Sequence, residues 1–233
     1  WRRLEKRQRP GGSTGMQIVE PYAHMLSVPD REAGIALLRK IEWCARVSHA
    51  SEDAQTEDSW DRFLRSVILT HGDWSVTEHA SVTVDAVIDR GISHEWVRHR
   101  LGAYTQSSTR FINYDKKIPP SFVLPVGLAP DARWYWENGI EAAIGAYKNL
   151  LAVGSQPQIA RSVFPNSLAT RLIVTYNLRM WRHFLLMRTT KEAHPQMRQV
   201  VIPLLAEFQV KIPVLFEDIE PMARQSDNLK KMR

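Results

Sequence analysis

The chain has 233 residues, 44% hydrophobic and 24% charged, which is ordinary for a folded protein of one large or two small domains. No apolar run reaches the length of a membrane span, and the single cysteine excludes an intrachain disulfide framework and a cysteine-rich zinc site. The net charge of +6 belongs mostly to the two ends, because the remaining body is near −1. The basic balance therefore does not by itself indicate a nucleic-acid surface on the fold.

The two ends of the chain differ in composition from the body. Residues 1–15 are basic and finish in a run of Pro, Gly, Ser and Thr, so we expect a disordered leader or a tail added in cloning. No apolar segment follows this basic start, so it is not a secretory signal, and the lone cysteine fits a reducing, cytoplasmic location. We expect a single domain over 16–222 and a basic tail over 223–233.

Apolar residues at helical spacing dominate the first part of the body. They predict helices over 31–49 and 57–70, with Asp30 and Thr56 as candidate N-caps. Between 82 and 88 the pattern changes to strict alternation, which predicts a strand. The first part of the body is therefore predicted to be two helices followed by a strand.

The middle of the chain contains the strongest turn signals. Arg90-Gly91 ends the predicted strand, and Ser93 is placed to cap a short helix that runs through Arg100. Residues 115–130 are rich in Pro and Gly and predict a surface connection. A long helix is predicted over 131–152.

The last third alternates between strand and helix patterns only once. A β-branched strand is predicted over 168–176, and helices over 178–188 and 193–211, with a kink or break at Pro203. The chain is therefore predicted to be α+β, with a small antiparallel or mixed sheet and long helices. Irregular alternation argues against a doubly wound sheet, and no glycine-rich dinucleotide fingerprint occurs, so a nucleotide cofactor would not bind through a Rossmann unit.

One segment stands out for its chemistry, the run from Arg98 to Arg110. Arg98-His99-Arg100 is followed by hydroxyl residues and Arg110, and residues 97–114 contain no acid. Guanidinium groups bind phosphate in a bidentate manner, and nearby hydroxyls add hydrogen-bond donors. The segment predicts an anion-binding wall, with a phosphorylated small molecule only slightly favoured over a nucleic-acid patch or pairing with acids elsewhere.

The spacing within this segment resembles a family signature. Arg98-His99-Arg100, seven residues and then Ser108 resemble the signature of flavin-dependent thymidylate synthases. Three further blocks resemble the same family, and the likeness runs from about residue 16 to about residue 220. These blocks are Thr77-Glu78-His79-Ala80-Ser81, Arg90-Gly91-Ile92-Ser93-His94-Glu95-Trp96-Val97-Arg98, and the C-terminal block Asn177-Leu178-Arg179 with Arg182-His183-Phe184-Leu185-Leu186-Met187-Arg188-Thr189 and Ala193-His194-Pro195-Gln196-Met197-Arg198.

The resemblance implies a specific reaction. Deoxyuridine monophosphate (dUMP) would be methylated to thymidylate (dTMP), with methylenetetrahydrofolate as the one-carbon donor and tetrahydrofolate as a product. FAD, reduced by NADPH, would supply the reducing equivalents, so the protein would provide binding, orientation and charge. The resemblance also implies a non-Rossmann fold and a homotetramer with active sites between subunits, with no metal, nucleic acid or membrane as partner.

The same resemblance assigns site residues. The residues assigned to dUMP are Glu95, Trp96, Val97, Arg98, Gln106, Ser107, Ser108, Thr109, Arg110, Arg161 and Arg188. The residues assigned to FAD are His79, Ser81, Arg98, His99, Arg100, Gln106, Asn177, Leu178, Arg179 and His183. Arg188 is given the catalytic role, because a guanidinium beside the uracil imide stabilises the anion that develops there.

Three of these positions require comment on their chemistry. Glu95 would be unfavourable beside a phosphate, so we expect it to face the base or ribose and accept hydrogen bonds. Some family members have Glu where this chain has Gln106. An amide keeps the hydrogen bond but lacks the charge, so a general-base role at this position is doubtful. Ser108 is expected to be a hydroxyl ligand, because a nucleophilic serine needs an activating base.

Three alternative functions remain open at this point. A nucleic-acid-binding module would use the same arginines on phosphates and stack bases on Tyr104, Phe111 and Tyr114. A flavoprotein that catalyses another reaction would also be yellow when purified, but it would not form dTMP. The departures at Gln106 and Ser107 also keep open a relative that has lost activity.

Overall fold

The computed structural model describes residues 16–231, so the expected leader over 1–15 lies outside the described residues. The chain forms two compact units, and each is built from separate segments. The first unit takes its described residues from 16–21, 87–96 and 106–172, and the second from 22–86, 97–105 and 173–231. The signature segment is therefore divided between the units, with Arg98 to Thr105 in the second and Gln106 to Arg110 in the first.

The first unit is mainly helical. Its elements are strand β1 (Gln17–Ile18), helix α3 (Arg90–Trp96), strand β5 (Ser121–Phe122), helix α4 (Arg133–Ala152) and helix α5 (Pro157–Ala160). Strands β1 and β5 pair in parallel, and a buried aromatic and aliphatic cluster packs Phe122 with Ile140, Ile144 and Tyr147.

The second unit holds the longer helices and most of a four-stranded sheet. Its elements are strand β2 (Tyr22–Met25), helix α1 (Arg31–Arg46), helix α2 (Ser59–Leu64), most of strands β3 (Ser81–Asp89), β4 (Ala103–Gln106) and β6 (Ala169–Asn177), and helices α6 (Leu178–Arg188), α7 (Pro195–Lys211) and α8 (Gln225–Lys230). The strand order is β2-β3-β6-β4.

The mixed helix and strand content confirms the coarse fold class predicted from the sequence. Strand β3 and helices α4 and α6 follow the predicted ranges closely. The predicted helix over 31–49 is α-helical to Arg46 and ends in a 3-10 turn, and that over 57–70 is α2 followed by a π-helical turn. Strands β2 and β4 were not predicted, because each has only four residues and lacks a long alternating pattern.

One predicted helix cap is confirmed and two are wrong. Asp30 accepts a hydrogen bond from the Ala33 amide, as a cap of α1 should. Thr56 does not cap α2, because the helix begins at Ser59 and the N-cap position falls on Asp58, which makes no capping hydrogen bond through its side chain. The Ser59 hydroxyl donates to Glu42 at 2.6 Å. Glu42 is fully buried, so a hydrogen bond to its carboxylate is strongly favoured.

The second wrong cap is Ser93. Helix α3 already begins at Arg90, because the Asp89 carboxylate accepts from the Ile92 amide at 2.7 Å and takes the capping role. Ser93 lies inside the helix, where its hydroxyl donates to the Arg90 carbonyl, and the helix ends at Trp96 rather than at Arg100. The arginine signature therefore begins in a loop.

Two further expectations about local structure need correction. Residues 115–130 are not only a surface connection, because Ser121, Phe122 and Val123 are buried around β5. Pro203 does not break α7, which runs unbroken from Pro195 to Lys211. Neighbouring α7 residues Val200, Val201, Leu204 and Leu205 are buried, and this packing offsets the hydrogen bond lost at proline. Of the helices within residues 16–231, none combines the length and apolar character needed to cross a bilayer.

Candidate active site

The second unit contains a cationic cavity of about 680 Å³, a volume typical of small-molecule sites. The loop that carries Arg98 to Leu101 forms one part of its wall, and helix α6 forms another. We call it the arginine cavity. Its lining residues are Trp74, Glu78, Arg98, His99, Arg100, Leu101, Asn177, Arg179, Met180, Arg182, His183, Leu186, Arg188 and Lys231.

Helix α6 sets the positions of several of these side chains. Asn177 precedes the helix, and its carboxamide oxygen accepts from the Met180 amide at 2.8 Å, which makes it the N-cap. Arg179 and His183 are one turn apart, so they lie on one face, and both line the cavity. Arg188 is the last residue of the helix and lines the cavity too. With Arg182, which also lines the cavity, one helix thus presents four polar residues to the same space.

His99 and Arg188 form the central contact of the cavity. The Arg188 Nε donates to the His99 Nε2 at 2.9 Å, so the imidazole is neutral there and has its proton on Nδ1. Burial, followed by the charge of Arg188 and the neighbouring His183, lowers the pKa of His99 to about 4. Burial and Arg188 also lower the pKa of His183. The site therefore combines cations with two imidazoles that remain neutral at physiological pH.

The cavity cations differ in what they contact. Arg182 is buried and makes two 2.7 Å hydrogen bonds to Asp218, so it is a structural ion pair. Arg179 is exposed and pairs with Glu78 at 2.6 Å. Within residues 16–231, no acidic side chain pairs with Arg98 or Arg100, and both are exposed. These two guanidiniums are available to an anionic ligand.

The donor set of the arginine cavity fits a flavin dinucleotide. A pyrophosphate needs cationic donors, which Arg98 and Arg100 supply without an acidic partner, while Arg179 lines the same cavity in its ion pair with Glu78. A large ring system needs apolar surface, which Trp74 and Met180 supply. The residues present therefore match the group that the signature implies.

Four residues assigned to the flavin from the resemblance, His79, Ser81, Gln106 and Leu178, lie outside the cavity lining. His79 and Ser81 are exposed around the start of β3, and the Leu178 side chain is buried in the second unit. The structure also brings to the cavity residues that sequence reasoning missed. No sequence pattern marks Trp74 as a site residue. Glu78 belongs to the block that resembles the family but was not assigned a role, and Lys231 belongs to the basic C-terminal segment.

The first unit holds a second group of the predicted residues, centred on Gln106. The Gln106 amide nitrogen donates to the Ser93 hydroxyl at 2.9 Å and to the Thr170 hydroxyl at 3.2 Å. The hydrogen of Ser93 is already given to the Arg90 carbonyl, so Ser93 can only accept from Gln106. The contact with Ser93 therefore needs a donor at position 106, which the amide has and a carboxylate lacks. We call these three side chains the amide cluster.

The remaining signature residues of the first unit lie on a turn after β4. Thr109 is buried, and its hydroxyl accepts from the Arg161 guanidinium at 2.6 Å, which brings two predicted nucleotide contacts together. Ser108 accepts from the Arg110 amide at 3.2 Å, and Arg110 itself is exposed. The Ser107 amide donates to the Arg171 carbonyl, so its backbone extends the strand pairing.

The block before the signature is described in the same terms. Glu95 is half-buried and Trp96 fully buried on α3 in the first unit, and Val97 is half-buried in the second. A fully buried Trp96 contributes to packing, so its side chain is a poor candidate for direct contact with nucleotide.

Two other kinds of site were considered. Within residues 16–231, no group of three or more His, Cys, Asp or Glu side chains is arranged to hold a metal ion. For a single-strand stacking surface, Tyr114 is buried and the Tyr104 hydroxyl is hydrogen-bonded inside the second unit, while Phe111 is exposed. Two of the three proposed stacking rings are thus engaged within the protein, which weakens the nucleic-acid alternative.

These features define an α+β protein with an arginine-rich cavity suited to a phosphorylated ligand. Comparison with known proteins gives its family. Residues 37–214 match the family model described as thymidylate synthase complementing protein, which covers most of the chain. The chain belongs to that family, as the signature predicted.

Named relatives agree with this assignment. The chain is 33% identical to a flavin-dependent thymidylate synthase of Mycobacterium sp. (strain JLS), with 82% of each chain covered. It is 36% identical to one of Mycobacterium tuberculosis (strain ATCC 25618 / H37Rv), over 68% of this chain and 69% of that one. Among solved structures, a UMP/dUMP methylase from Streptomyces cacaoi, bound with 5-Br dUMP, has a TM-score of 0.70 at 23% identity, over 86% of this chain and 95% of that chain. This last similarity establishes the fold.

Proposed function

We propose that this chain is a flavin-dependent thymidylate synthase that methylates dUMP to dTMP. The carbon comes from methylenetetrahydrofolate, which leaves as tetrahydrofolate, and NADPH is the reductant. The proposal rests on one observation in particular: the arginine signature and the C-terminal block, distant in sequence, meet where Arg188 donates to His99 in the arginine cavity. The family membership and the named relatives support the same activity.

FAD, when bound, supplies the redox chemistry of the reaction. In the proposal, Arg98, Arg100 and Arg179 hold its phosphates by charge, while His99, His183 and Asn177 border the rest of it. His79, Ser81, Leu178 and Gln106 complete the set assigned by the resemblance. The neutral imidazoles suit this role, because a neutral ring adds no second charge next to the cations.

The nucleotide would be recognised by the other assigned residues. Thr109 and Arg161, which already share a hydrogen bond, would contact dUMP together with Ser107, Ser108 and Arg110. The resemblance adds Glu95, Trp96, Val97, Arg98 and Gln106 to this set. Arg188 would lie beside the uracil imide and stabilise negative charge on the pyrimidine. The guanidinium is always protonated, so its charge is present before the reaction begins.

Other features belong to the proposal as well. We expect a domain over 16–222, a homotetramer with active sites between subunits, a non-Rossmann mode of flavin binding and a cytoplasmic location. We expect no metal, and neither nucleic acid nor membrane as a partner. Size measurement by light scattering tests the oligomer, and metal analysis of the purified protein tests the absence of a metal requirement.

The central experiment is spectroscopic. The purified protein should take up FAD and be yellow, and dUMP should perturb the flavin spectrum in the wild type and far less in Arg188→Ala. Arg62→Ala, an exposed arginine of α2 outside the cavity, is the matched control and should behave as wild type. Formation of dTMP from dUMP, methylenetetrahydrofolate and NADPH completes the test. A protein that binds neither FAD nor dUMP would overturn the proposal.

A further inference from the structure

The His99–Arg188 contact depends on a histidine that lies in a loop rather than in a helix or strand. His99 follows α3 and precedes β4, so no regular backbone hydrogen bonding fixes its place. The structure supplies a replacement, because the Tyr104 hydroxyl donates to the His99 carbonyl. The loop is therefore tied down at the very residue that contacts Arg188.

The hydrogen bonding that holds His99 continues into the core of the second unit. The hydroxyls of Tyr104 and Tyr176 are hydrogen-bonded to each other. A phenol has one hydrogen, and that of Tyr104 goes to His99, so Tyr176 must be the donor to Tyr104. The order is Tyr176 to Tyr104 to the His99 carbonyl, a chain in which each bond strengthens the next. Tyr176 is buried and sits on β6, which gives the chain a rigid origin.

The loop itself runs close against the Tyr176 ring. A Cβ built at Gly102 would lie 2.1 Å from the Tyr176 Cδ1, so only glycine fits there without displacing loop or ring. The His99 ring packs edge-to-face with the Phe184 ring, with centroids 5.0 Å apart. Backbone and side chain of His99 are thus both located by residues of β6 and α6, or by residues hydrogen-bonded to them.

We propose that Tyr104 and Tyr176 are positioning residues, which hold His99 where its Nε2 accepts from the Arg188 Nε and so fix the orientation of that guanidinium. The catalytic meaning of Arg188 rests on the proposed function. Arginine has a long, flexible side chain, and holding one nitrogen restricts the plane in which its fork can face a ligand. Orientation of this kind is what supporting side chains contribute to a site.

The two hydroxyls make different predictions. Tyr104→Phe removes the donor to His99 and also removes the oxygen to which the Tyr176 hydroxyl donates. Tyr176→Phe removes only the hydrogen bond from Tyr176 to Tyr104 and leaves the one from Tyr104 to the His99 carbonyl in place. We therefore expect the Tyr104→Phe variant to be clearly affected and the Tyr176→Phe variant affected in the same direction but less.

The first measurement uses ¹⁵N nuclear magnetic resonance on the protein without added FAD or nucleotide. In the wild type we expect a His99 imidazole protonated at Nδ1 only, and an Arg188 Nε–H protected from exchange with water. Loss of the His99 signal in His99→Gln and of the Arg188 signal in Arg188→Lys assigns them. In Tyr104→Phe we expect exchange at the Arg188 Nε to rise about three- to tenfold, the size of one lost hydrogen bond.

The second measurement is kcat for dTMP formation with all substrates saturating. Tyr104→Phe should lower kcat about three- to tenfold, and Tyr176→Phe should lower it less. Tyr135→Phe, an exposed tyrosine of α4, is the matched control and should leave both the exchange rate and kcat unchanged. A purely structural role would lower the melting temperature without altering the Arg188 signal, so the two roles give different results.

The outcomes separate this inference from the proposed function. A wild type that lacks the protected Arg188 Nε–H, or a folded Tyr104→Phe with wild-type exchange and kcat, overturns the positioning role and leaves the synthase assignment standing. If Tyr104→Phe does not fold, Tyr176→Phe decides by the same two readouts. A wild type that shows the expected signals but makes no dTMP overturns the proposed function alone.

Discussion

The arginine cavity and the amide cluster contain residues from one continuous signature, yet they use opposite kinds of polarity. In the cavity, long cationic side chains surround space, and the histidine His99 is kept neutral by burial and by Arg188. In the cluster, Gln106, Ser93 and Thr170 are uncharged and satisfy one another at hydrogen-bond distance. The difference shows that the signature supplies both charge and a neutral scaffold, and that its residues cannot be assigned one common role.

Charge in the cavity and neutrality in the cluster lead to different sensitivities. A preorganised charge that acts on a developing anion contributes to the rate in a way no neutral group replaces. A satisfied neutral hydrogen bond contributes about 1 kcal/mol to folding, and its loss costs more only when a partner is left unpaired. Substitutions in the cavity should therefore act mainly on catalysis, and those in the cluster mainly on stability.

Removal of the Arg188 charge is the most severe test of this contrast. We expect Arg188→Ala to lower kcat for dTMP formation about 10²- to 10³-fold, as for other deletions of a preorganised electrostatic group. The free energy of unfolding should change little, because Arg188 is the last residue of α6 and only half-buried. Steady-state turnover and urea unfolding measure the two effects. Arg62→Ala serves again as control, and turnover within a few-fold of wild type in Arg188→Ala would contradict the assignment.

The neutral state of His99 gives the next largest effect. Its pKa in the fold is about 4, below the unfolded value near 6.5, so the unfolded chain binds the proton more readily. The contribution of neutral His99 to the free energy of unfolding is present above pH 6.5 and is lost as the pH falls toward 4. Its upper limit is roughly 3 kcal/mol.

The measurement is the difference in unfolding free energy between wild type and His99→Gln at several pH values. Since acidic groups titrate in both proteins, that difference isolates His99, with His183 and Arg188 unchanged beside it. The wild type should lose unfolding free energy relative to His99→Gln as the pH falls from 7 to 4. A difference that stays constant over this range would mean that His99 is not kept neutral by the fold.

Gly102 offers a test of how tightly the cavity loop is packed. Gly102→Ala should lower the free energy of unfolding by about 1–3 kcal/mol, because its Cβ would meet the Tyr176 ring. Gly139→Ala is the matched control on α4, where nothing lies within 4 Å, and should instead stabilise by about 0.5–1 kcal/mol. Urea unfolding of both variants checks the signs, and equal effects would show that the loop can yield at no cost.

Much of this architecture could be predicted from the sequence, and the failures have physical causes. Long elements such as β3, α4 and α6 were predictable because periodicity extends over many residues. The cap predicted at Ser93 was wrong because α3 begins earlier, where the carboxylate of Asp89, four residues before Ser93, accepts from the Ile92 amide. The predicted break at Pro203 does not occur in α7, because buried tertiary packing overrides local propensity.

The site was predictable in a similar, partial way. Local motifs pointed to the arginines, His183 and Arg188, since their residue types and spacing were visible in the sequence. Contacts between distant positions were not visible, such as Tyr104 with Tyr176 or Arg182 with Asp218, because they depend on tertiary arrangement. Glu78 is instructive, since it stood in a recognised motif but its partner Arg179 lies 101 residues away.

The smallest expected effect lies in the amide cluster and tests the neutral half of the contrast. Gln106→Glu replaces a donor with a group that only accepts when ionised, and the Ser93 hydrogen is already committed to the Arg90 carbonyl. The carboxylate would face a Ser93 oxygen that cannot donate to it, so we expect a loss of about 1–2 kcal/mol in unfolding free energy at pH 7.

The pH dependence of this variant distinguishes a lost donor from a change in packing. When the carboxyl introduced by Gln106→Glu is protonated, it regains an O–H donor, so its pKa should be raised and stability should be present at low pH and fall as the pH rises through that pKa. Gln106→Met, which lacks donors at every pH, is the control and should show a deficit independent of pH. If Gln106→Glu is instead as stable as wild type at pH 7, the serine must have redirected its hydrogen from the Arg90 carbonyl. Position 106 would then accept either residue, and the neutral character of the cluster would be a property of this chain rather than a requirement of the fold.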